Sequence, residues 1–202
     1  MLKLKQLLLV PLNRFAHWRW ARDRRALVAR LSKGSVGAEV GVWKGAFSGQ
    51  LLEALQPKEL HLIDPWRFFP NKKDCWYGGA VAKQQRDMDV IHDAVVNTLK
   101  ERREVFIHRS TSAEAAATFK DAFFDWVYID GDHYYDGVMS DLVNYYPKIK
   151  KGGTLCGDDL NWTAPGLGGE RPVDRAVRDF VQRMPGAELR VIGTQFMVIR
   201  TQ

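Results

Sequence analysis

The feature that most constrains the fold is an alternation along the chain. From residue 34 onward, short apolar runs of β-type residues alternate with longer segments whose apolar residues recur at helical spacing. This alternation predicts a parallel sheet with helices on both faces, because parallel strands need crossover connections and helices usually supply them. The candidate strands are Gly37–Val42, Glu59–Asp64, Glu104–His108, Phe124–Asp130, Gly153–Gly157, Glu188–Ile192 and Gln195–Arg200.

The C-terminal elements modify this pattern. The clearest helix covers Val173–Met184, directly after Pro172, and the two strands that follow it are separated only by Gly193-Thr194. A two-residue connection predicts an antiparallel hairpin. We therefore expect an α/β fold: a three-layer, doubly wound, mostly parallel seven-stranded sheet with an antiparallel strand near the C-terminus. Ligands of such sheets bind outside the carboxyl ends of the strands.

The charge of the chain is unevenly distributed. The 202 residues carry a formal net charge of +6, but residues 1–33 hold nine basic residues against one acid. Residues 34–202 hold 21 basic and 23 acidic residues, so the body of the protein is not basic. We expect a basic N-terminal helical arm over residues 1–33 and one domain over residues 34–202.

Other protein classes are disfavoured by composition. The two cysteines, Cys75 and Cys156, are too few for a disulfide scaffold, and the chain has no CxxC pair of the kind that binds structural zinc. The longest N-terminal apolar run, residues 7–12, is much too short to span a membrane. These features predict a cytoplasmic protein.

Small and acidic residues mark the ends of the first two predicted strands. Gly41 and Gly45 in Glu39–Ser48 allow a tight turn into a helix and a close approach of a ligand, although such a turn can also be a simple connector. Asp64, which ends the second strand, is suited to accept hydrogen bonds from ribose hydroxyls. The alternative for Asp64 is that it binds local backbone N–H groups.

A polar segment follows the third predicted strand. Thr111 and Glu114 have the spacing of a helix capping box, which explains both residues structurally. Ser112 lies on the ligand side of the same turn. It is suited either to contact a bound base or to a purely structural role.

Acidic residues follow the fourth and fifth predicted strands. Asp130 ends one strand, and Asp158 and Asp159 end the next, so the three carboxylates converge at one edge of the sheet. Carboxylates this close repel one another unless a cation or protons compensate them, and an oxygen-only site favours Mg²⁺, Mn²⁺ or Ca²⁺. His133 follows Asp130 by three residues and is a candidate general base, with a surface hydrogen-bonding role as the alternative.

A series of short motifs follows successive predicted strands, and together they resemble those of class I S-adenosylmethionine-dependent methyltransferases over residues 34–200. Within that superfamily the chain is most similar to the small-molecule branch that contains macrocin and other sugar O-methyltransferases and, more distantly, catechol O-methyltransferase. The motifs are Glu39-x-Gly41-x-x-x-Gly45, Asp64, Ile129-Asp130-Gly-Asp-His133-x-Tyr135-x-Gly137-Val138, Asp141-Leu142 and Lys151-Gly-Gly153.

The resemblance implies a Rossmann-like fold, S-adenosyl-L-methionine as cofactor and specific roles for residues. It implies Mg²⁺ or another divalent cation on Asp130, Asp158 and Asp159, and His133 and Asp130 as catalytic residues. It also implies that the cofactor is bound by Glu39, Gly41 and Gly45 on its methionine half, Asp64 on the ribose, Ser112 near the adenine, and Asp130. The expected reaction is metal-assisted O-methylation of a small hydroxylated acceptor of the sugar or phenol type.

The acceptor and the partners stay open at this stage. Loops containing Trp66, Trp76 and Trp162 are suited to cover an acceptor or simply to pack down. The arm is suited to cover the acceptor pocket, form a homodimer interface, lie on an anionic membrane surface, or present a solvated basic face. The alternative functions are methylation of nucleic acid, with the arm following phosphates, and binding of the cofactor without catalysis.

Overall fold

The computed structural model of the chain describes residues 21–71, 81–164, 166 and 168–202. Its strands are β1 (Val36–Val40), β2 (Glu59–Asp64), β3 (Val105–Arg109), β4 (Phe124–Ile129), β5 (Ile149–Gly157), β6 (Ala187–Ile192) and β7 (Gln195–Arg200). Its helices are the helical residues 21–28, here α1, followed by α2 (Ala46–Leu55), α3 (Gln85–Leu99), α4 (Ser112–Thr118), α5 (Tyr135–Tyr145) and α6 (Pro172–Arg183). A short 3₁₀ helix, Tyr146–Lys148, joins α5 to β5.

The seven strands form one sheet in the order β3-β2-β1-β4-β5-β7-β6. β1 to β5 pair in parallel, whereas β7 runs antiparallel to both β5 and β6. The predicted doubly wound α/β fold is therefore confirmed, including the hairpin at Gly193-Thr194. Successive strands are added on one side of β1 up to β3 and on its other side from β4 onward, and ligands of such sheets bind at the crevice between β1 and β4 where this order reverses.

Two layers of helices cover the sheet because the central strands are apolar on both faces. Helices α4, α5 and α6 pack on one face around Val127, Leu142 and Phe180. Helices α1, α2 and α3 pack on the other, where Leu51 and Trp126 are fully buried. The capping box of Thr111 and Glu114 begins α4 as predicted.

Several predicted strand boundaries move by one residue or more, and three of these shifts concern the strand ends that form the site or the pairing of β5. β1 ends at Val40 and not at residue 42, because Gly41 adopts a φ of 91° that leaves the extended conformation. β4 ends at Ile129, one residue before Asp130. β5 begins at Ile149, four residues before the predicted start, with a register irregularity against β4 and a φ of 79° at Gly152.

The described part of the predicted arm belongs to the core. Leu27, Val28 and Leu31 are buried in the same cluster as the α2 residues. Asp23, on the same helix, is packed so closely against the β6–β7 turn that a Cβ at Gly193 would overlap its carboxylate. Residues 1–20 lie outside the described residues. Within the described ranges, no helix combines the length and apolar character needed to cross a membrane.

Candidate active site

The site is built where the carboxyl ends of β1, β4 and β5 meet. The backbone N–H of Asp130 donates to the Val40 carbonyl at 2.7 Å, which ties the end of β4 to the end of β1. A Cβ added at Gly41 would overlap the Asp130 carbonyl. Gly41 is therefore needed for the close approach of the ends of β1 and β4.

An unpredicted cation lies among the predicted acidic residues. The Arg24 guanidinium donates from Nη2 to Asp130 Oδ2 at 2.8 Å and to Asp158 Oδ2 at 2.7 Å, and its Nε donates to Asp158 Oδ2 at 3.2 Å. The side chain of Arg24 is 8% exposed, and its Cζ lies 4.4 Å from the centre of the Phe47 ring. Buried carboxylates need such compensation, and here a side chain of α1 supplies it.

Both carboxylate oxygens of Asp158 accept two hydrogen bonds each from groups of the protein. Its Oδ2 takes the two bonds from Arg24, and its Oδ1 accepts from the Asp159 backbone N–H at 2.7 Å and from the Thr194 hydroxyl at 2.9 Å. The side chain is 0% exposed. Asp158 is therefore buried beside Asp130 and Asp159, the other two predicted metal ligands, and does not offer them an accessible carboxylate oxygen.

Asp130, His133 and Asp159 are the residues that the structure does bring together. One ligand atom from each lies within 4.8 Å of the other two. His133 Nε2 is 3.2 Å from Asp159 Oδ2 and 3.9 Å from Asp130 Oδ1. Two carboxylates and one imidazole form a donor set that suits a divalent cation with open positions for a further ligand.

His133 and Asp159 shift each other's pKa. Burial opposes a charge on His133, but Asp130, Asp159 and Asp132 outweigh it and raise the pKa of the imidazole above its ordinary value. Burial, together with the charges of Asp158 and Asp130, raises the pKa of Asp159 to about 6 despite the opposing charges of His133 and Arg24. Proton binding by His133 and Asp159 is therefore coupled.

Glu39 lies beneath this edge, in β1. It is fully buried, and burial raises the pKa of its carboxyl to about 8. Its partner is Ser48 of α2, whose hydroxyl donates to Glu39 Oε2 at 2.5 Å. Sequence reasoning did not assign Ser48 a role. A sequence signal for this contact was the nine-residue spacing, because the turn at Gly45 brings the first turn of α2, with Ser48, back beside the end of β1.

Asp64 accepts hydrogen bonds from backbone N–H groups, which was the alternative interpretation of this residue. Its Oδ2 accepts from the N–H groups of Val42 and Trp43, both at 2.9 Å, and its Oδ1 accepts from that of Trp66 at 2.8 Å. These bonds hold the turn after β1 against the end of β2. Gly45 has a φ of 73° at the start of α2, and a Cβ there would meet only Val95 and Ser48 at ordinary contact distances.

Ser112, at the start of α4, is joined to a residue that sequence reasoning left without a role. Its hydroxyl donates to Asp141 of α5, and its carbonyl accepts from the Tyr145 hydroxyl at 2.9 Å. Burial raises the pKa of the Asp141 carboxyl to about 6. Asp141 Oδ2 lies 3.7 Å from where a Cβ at Gly131 would stand, so this carboxyl connects α4 to the loop after β4.

Aromatic rings line the outer side of the site. The Trp162 ring meets the rings of His133 and Tyr134 edge to face, each with a centroid separation of 5.4 Å. Trp66 is fully buried and packs against its own loop. This is the second of the two roles considered for it from the sequence. Trp76 lies outside the described residues.

Comparison with known proteins identifies the family of this fold and site. A family model described as a methyltransferase domain matches residues 38–160, more than half of the chain and every strand end discussed above. The chain belongs to this methyltransferase family. It is a class I S-adenosylmethionine-dependent methyltransferase, as the resemblance implied.

Solved structures share the fold of this methyltransferase at low sequence identity. A protein from Corynebacterium glutamicum has a TM-score of 0.62 and 14% identity, covering 91% of this chain and 90% of that chain. The O-methyltransferase NovP has a TM-score of 0.61 and 19% identity, covering 89% and 80%. Fibrillarin from Aeropyrum pernix, with natively bound S-adenosyl-L-methionine, has a TM-score of 0.54 and 10% identity, covering 83% and 66%. No curated protein sequence matches the chain significantly.

The residues of this methyltransferase fit the cofactor of its family. S-adenosylmethionine carries a sulfonium and an ammonium, which favour nearby carboxylates, and a ribose whose hydroxyls need acceptors. Glu39 is a buried carboxyl in β1 that accepts a hydrogen bond from Ser48, and a neighbouring cation would lower its pKa. Asp64 ends β2, the position at which a carboxylate in such sheets is suited to accept from ribose hydroxyls.

Proposed function

We propose that this methyltransferase transfers the methyl group to a hydroxyl of a small acceptor of the sugar or phenol type, assisted by a divalent cation. The observation that carries the proposal is the convergence of Asp130, His133 and Asp159 at the carboxyl edge of the sheet, with ligand atoms within 4.8 Å of one another. The likeness to the O-methyltransferase NovP agrees with it.

In this proposal, Asp130, His133 and Asp159 hold the cation, and Asp158 is the ion-pair partner of Arg24. When bound, such a cation supplies Lewis acidity that makes an acceptor hydroxyl easier to deprotonate. The imidazole nitrogen widens the choice of metal from Mg²⁺ toward Mn²⁺ and similar ions, because imidazole is a softer ligand than carboxylate. Trp162 and Tyr134 present aromatic faces beside His133 against which an acceptor ring can pack.

The cofactor end of the site is proposed to use the remaining residues. S-adenosylmethionine supplies an electrophilic methyl group, and the protein has mainly to position it. Glu39, Gly41 and Gly45 would surround the methionine half, with Asp130 at the boundary with the acceptor. Asp64 would accept from a ribose hydroxyl, and Ser112 would lie near the adenine.

The contact between His133 and Asp159 supports a second mechanism. A carboxylate 3.2 Å from Nε2 orients an imidazole and favours its protonated form, which is the arrangement of a general base. In this mechanism Nδ1 of His133 takes the proton of the acceptor hydroxyl and no metal is required. The two mechanisms make opposite predictions about chelators.

The testing experiment separates metal binding from cofactor binding. Calorimetric titration with Mn²⁺ should give one site in the wild type and at least tenfold weaker binding in Asp159→Asn, because a charged ligand is lost. Binding of S-adenosylhomocysteine should stay within threefold in the same variant, since Asp159 lies at the acceptor side. Labelled methyl transfer to a panel of sugars and phenols should stop in excess EDTA and return with Mn²⁺ or Mg²⁺.

Full methyl transfer in excess EDTA would remove the cation from the proposal and favour the base mechanism. His133→Asn should then abolish transfer at pH 7 and leave S-adenosylhomocysteine binding unchanged. Exposed Asp136→Asn, in the first turn of α5, is a matched control for the loss of one acidic side chain near the site.

The described part of the arm argues against the nucleic-acid alternative. Arg22 and Arg24 both form ion pairs with protein carboxylates, the first with Asp23 and the second with Asp130 and Asp158. The Arg24 guanidinium is bound to two carboxylates and its side chain is 8% exposed, so it is not placed to contact phosphates, whereas the Arg22 side chain is 53% exposed. The alternative therefore depends on other basic residues of the arm, and steep salt dependence of binding to nucleic acid would be its signature.

A further inference from the structure

The helix that carries Arg24 is held in place by packing on both sides of that residue. Leu27 and Val28, in the next turn of α1, are buried in the core. Asp23 packs against the turn that carries Thr194, the residue that also binds Asp158. The guanidinium is therefore delivered by a packed helix and stacks over the Phe47 ring, which limits its freedom to leave.

Arg24 and the proposed cation share one carboxylate. Asp130 Oδ2 accepts from Arg24 at 2.8 Å, whereas its Oδ1 faces His133 at 3.9 Å. The second partner of Arg24, Asp158, follows β5 directly before the proposed ligand Asp159. A guanidinium does not lose its proton under working conditions, so this positive charge is permanent.

The charge of the cluster explains what Arg24 does. Asp130, Asp158 and Asp159 supply three carboxylates, and Arg24 reduces their formal sum by one unit. Without Arg24, one more negative charge faces a divalent ion and Asp158 Oδ2 loses its two hydrogen bonds. Both changes favour the binding of a cation, because opposite charges a few ångströms apart attract strongly in a partly buried site.

We propose that Arg24 is a resident cation that competes with the divalent metal for this acidic edge, and that it excludes Asp158 from the ligand set. This inference rests on the proposed metal-assisted function. It assigns α1 a positioning role in the site: by holding Asp158 and one oxygen of Asp130, Arg24 sets how tightly the enzyme binds its metal.

The test measures Mn²⁺ affinity by calorimetry on the full chain without substrate. Arg24→Gln should bind Mn²⁺ about tenfold more tightly than the wild type, and the double variant Arg24→Gln/Asp158→Asn should return to within threefold of it. Arg25→Gln is the matched control, since Arg25 is exposed on the same helix and its loss removes the same charge. It should change the affinity less than twofold.

Asp158→Asn alone gives an independent result that does not require the Arg24 variant to fold. If Arg24 reserves Asp158, this variant loses one negative charge but no metal ligand, so its Mn²⁺ affinity falls clearly less than that of Asp159→Asn. A loss as large as that of Asp159→Asn would make Asp158 a ligand and overturn the inference. Unchanged or weaker affinity in a folded Arg24→Gln variant would overturn it as well.

The results also distinguish the inference from the function on which it rests. Mn²⁺ binding by the wild type with no gain in Arg24→Gln contradicts the inference and leaves metal assistance standing. Binding that appears only in Arg24→Gln supports the inference and contradicts metal assistance in the wild type. No binding in either protein contradicts both.

Discussion

Replacing Glu39 by glutamine tests whether ionisation of this buried carboxyl destabilises the folded protein before the cofactor binds. Glu39 is fully buried, and the hydroxyl of Ser48 is hydrogen-bonded to its carboxyl at 2.5 Å. Glutamine has the same shape, can keep a hydrogen bond with Ser48 and cannot ionise. We expect Glu39→Gln to change how the stability of the cofactor-free protein depends on pH, with little change in the fold.

The magnitude follows from the pKa of the buried carboxyl. Burial raises the pKa of Glu39 to about 8 in the folded state, whereas a glutamate in an unfolded chain has a pKa of about 4.3. Between these values the folded protein holds a proton that the unfolded chain releases, so the stability of the wild type falls as the pH rises. At 1.36 kcal/mol per pKa unit, the loss between pH 5 and 8 is about 3 kcal/mol.

Urea denaturation of both proteins at pH 5, 6, 7 and 8 measures this difference. Asp141 and Asp159 also titrate in this range, but they are present in both proteins, so the difference between the two curves isolates Glu39. Glu53→Gln on the exposed side of α2 is the matched control and should follow the wild type. Saturating S-adenosylmethionine should flatten the wild-type profile, because a bound cation favours the ionised carboxyl.

Parallel stability curves for the wild type and Glu39→Gln would refute this reasoning. They would mean that the carboxyl is already ionised in the folded protein or that solvent reaches it. If the curves are parallel and the variant is less stable by a constant amount, Glu39 contributes a structural hydrogen bond and does not change its protonation on folding.

Two further substitutions test the packing of the site. Leu27→Ala should reduce the free energy of unfolding by about 2–5 kcal/mol in urea denaturation, because Leu27 is fully buried in the core; a loss below about 0.5 kcal/mol would show that α1 is not part of the folded domain. Gly41→Ala should lower both stability and S-adenosylhomocysteine affinity, because a Cβ would overlap the Asp130 carbonyl, whereas Gly34→Ala, with positive φ but no close neighbour, should cost only backbone strain. Equal losses in the two alanine variants would argue against the close approach of β1 and β4.

Sequence patterns predicted the architecture because they are local. Residues 126–129 form an uninterrupted run of aromatic and apolar residues, a pattern typical of a strand covered on both faces. The Gly193-Thr194 turn and the Thr111 capping box are also signals contained within a few residues. The start of β5 was misplaced because the irregular pairing of residues 149–154 with β4 depends on the neighbouring strand and not on the segment itself.

The acidic edge was predicted as a group, but its internal pairing was not. The ends of β4 and β5 follow from the strand order, which brings Asp130 near Asp158 and Asp159. Arg24 could not be singled out, because it is one of nine basic residues in a segment without a clear pattern and its partners lie 106 and 134 positions away. Only the tertiary structure shows which arginine is buried and which acid it takes.

The ion pairs of Arg24 also determine when the site is completed during synthesis. Arg24 is made 134 positions before Asp158, and Asp158 receives the Thr194 hydroxyl only after a further 36 positions. Contacts of such sequence separation form late, because the intervening chain must first be ordered. A nascent chain that ends before residue 194 can therefore pair β1 to β5 while Asp158 still lacks the Thr194 hydroxyl, so the acidic edge is among the last parts of the enzyme to be completed.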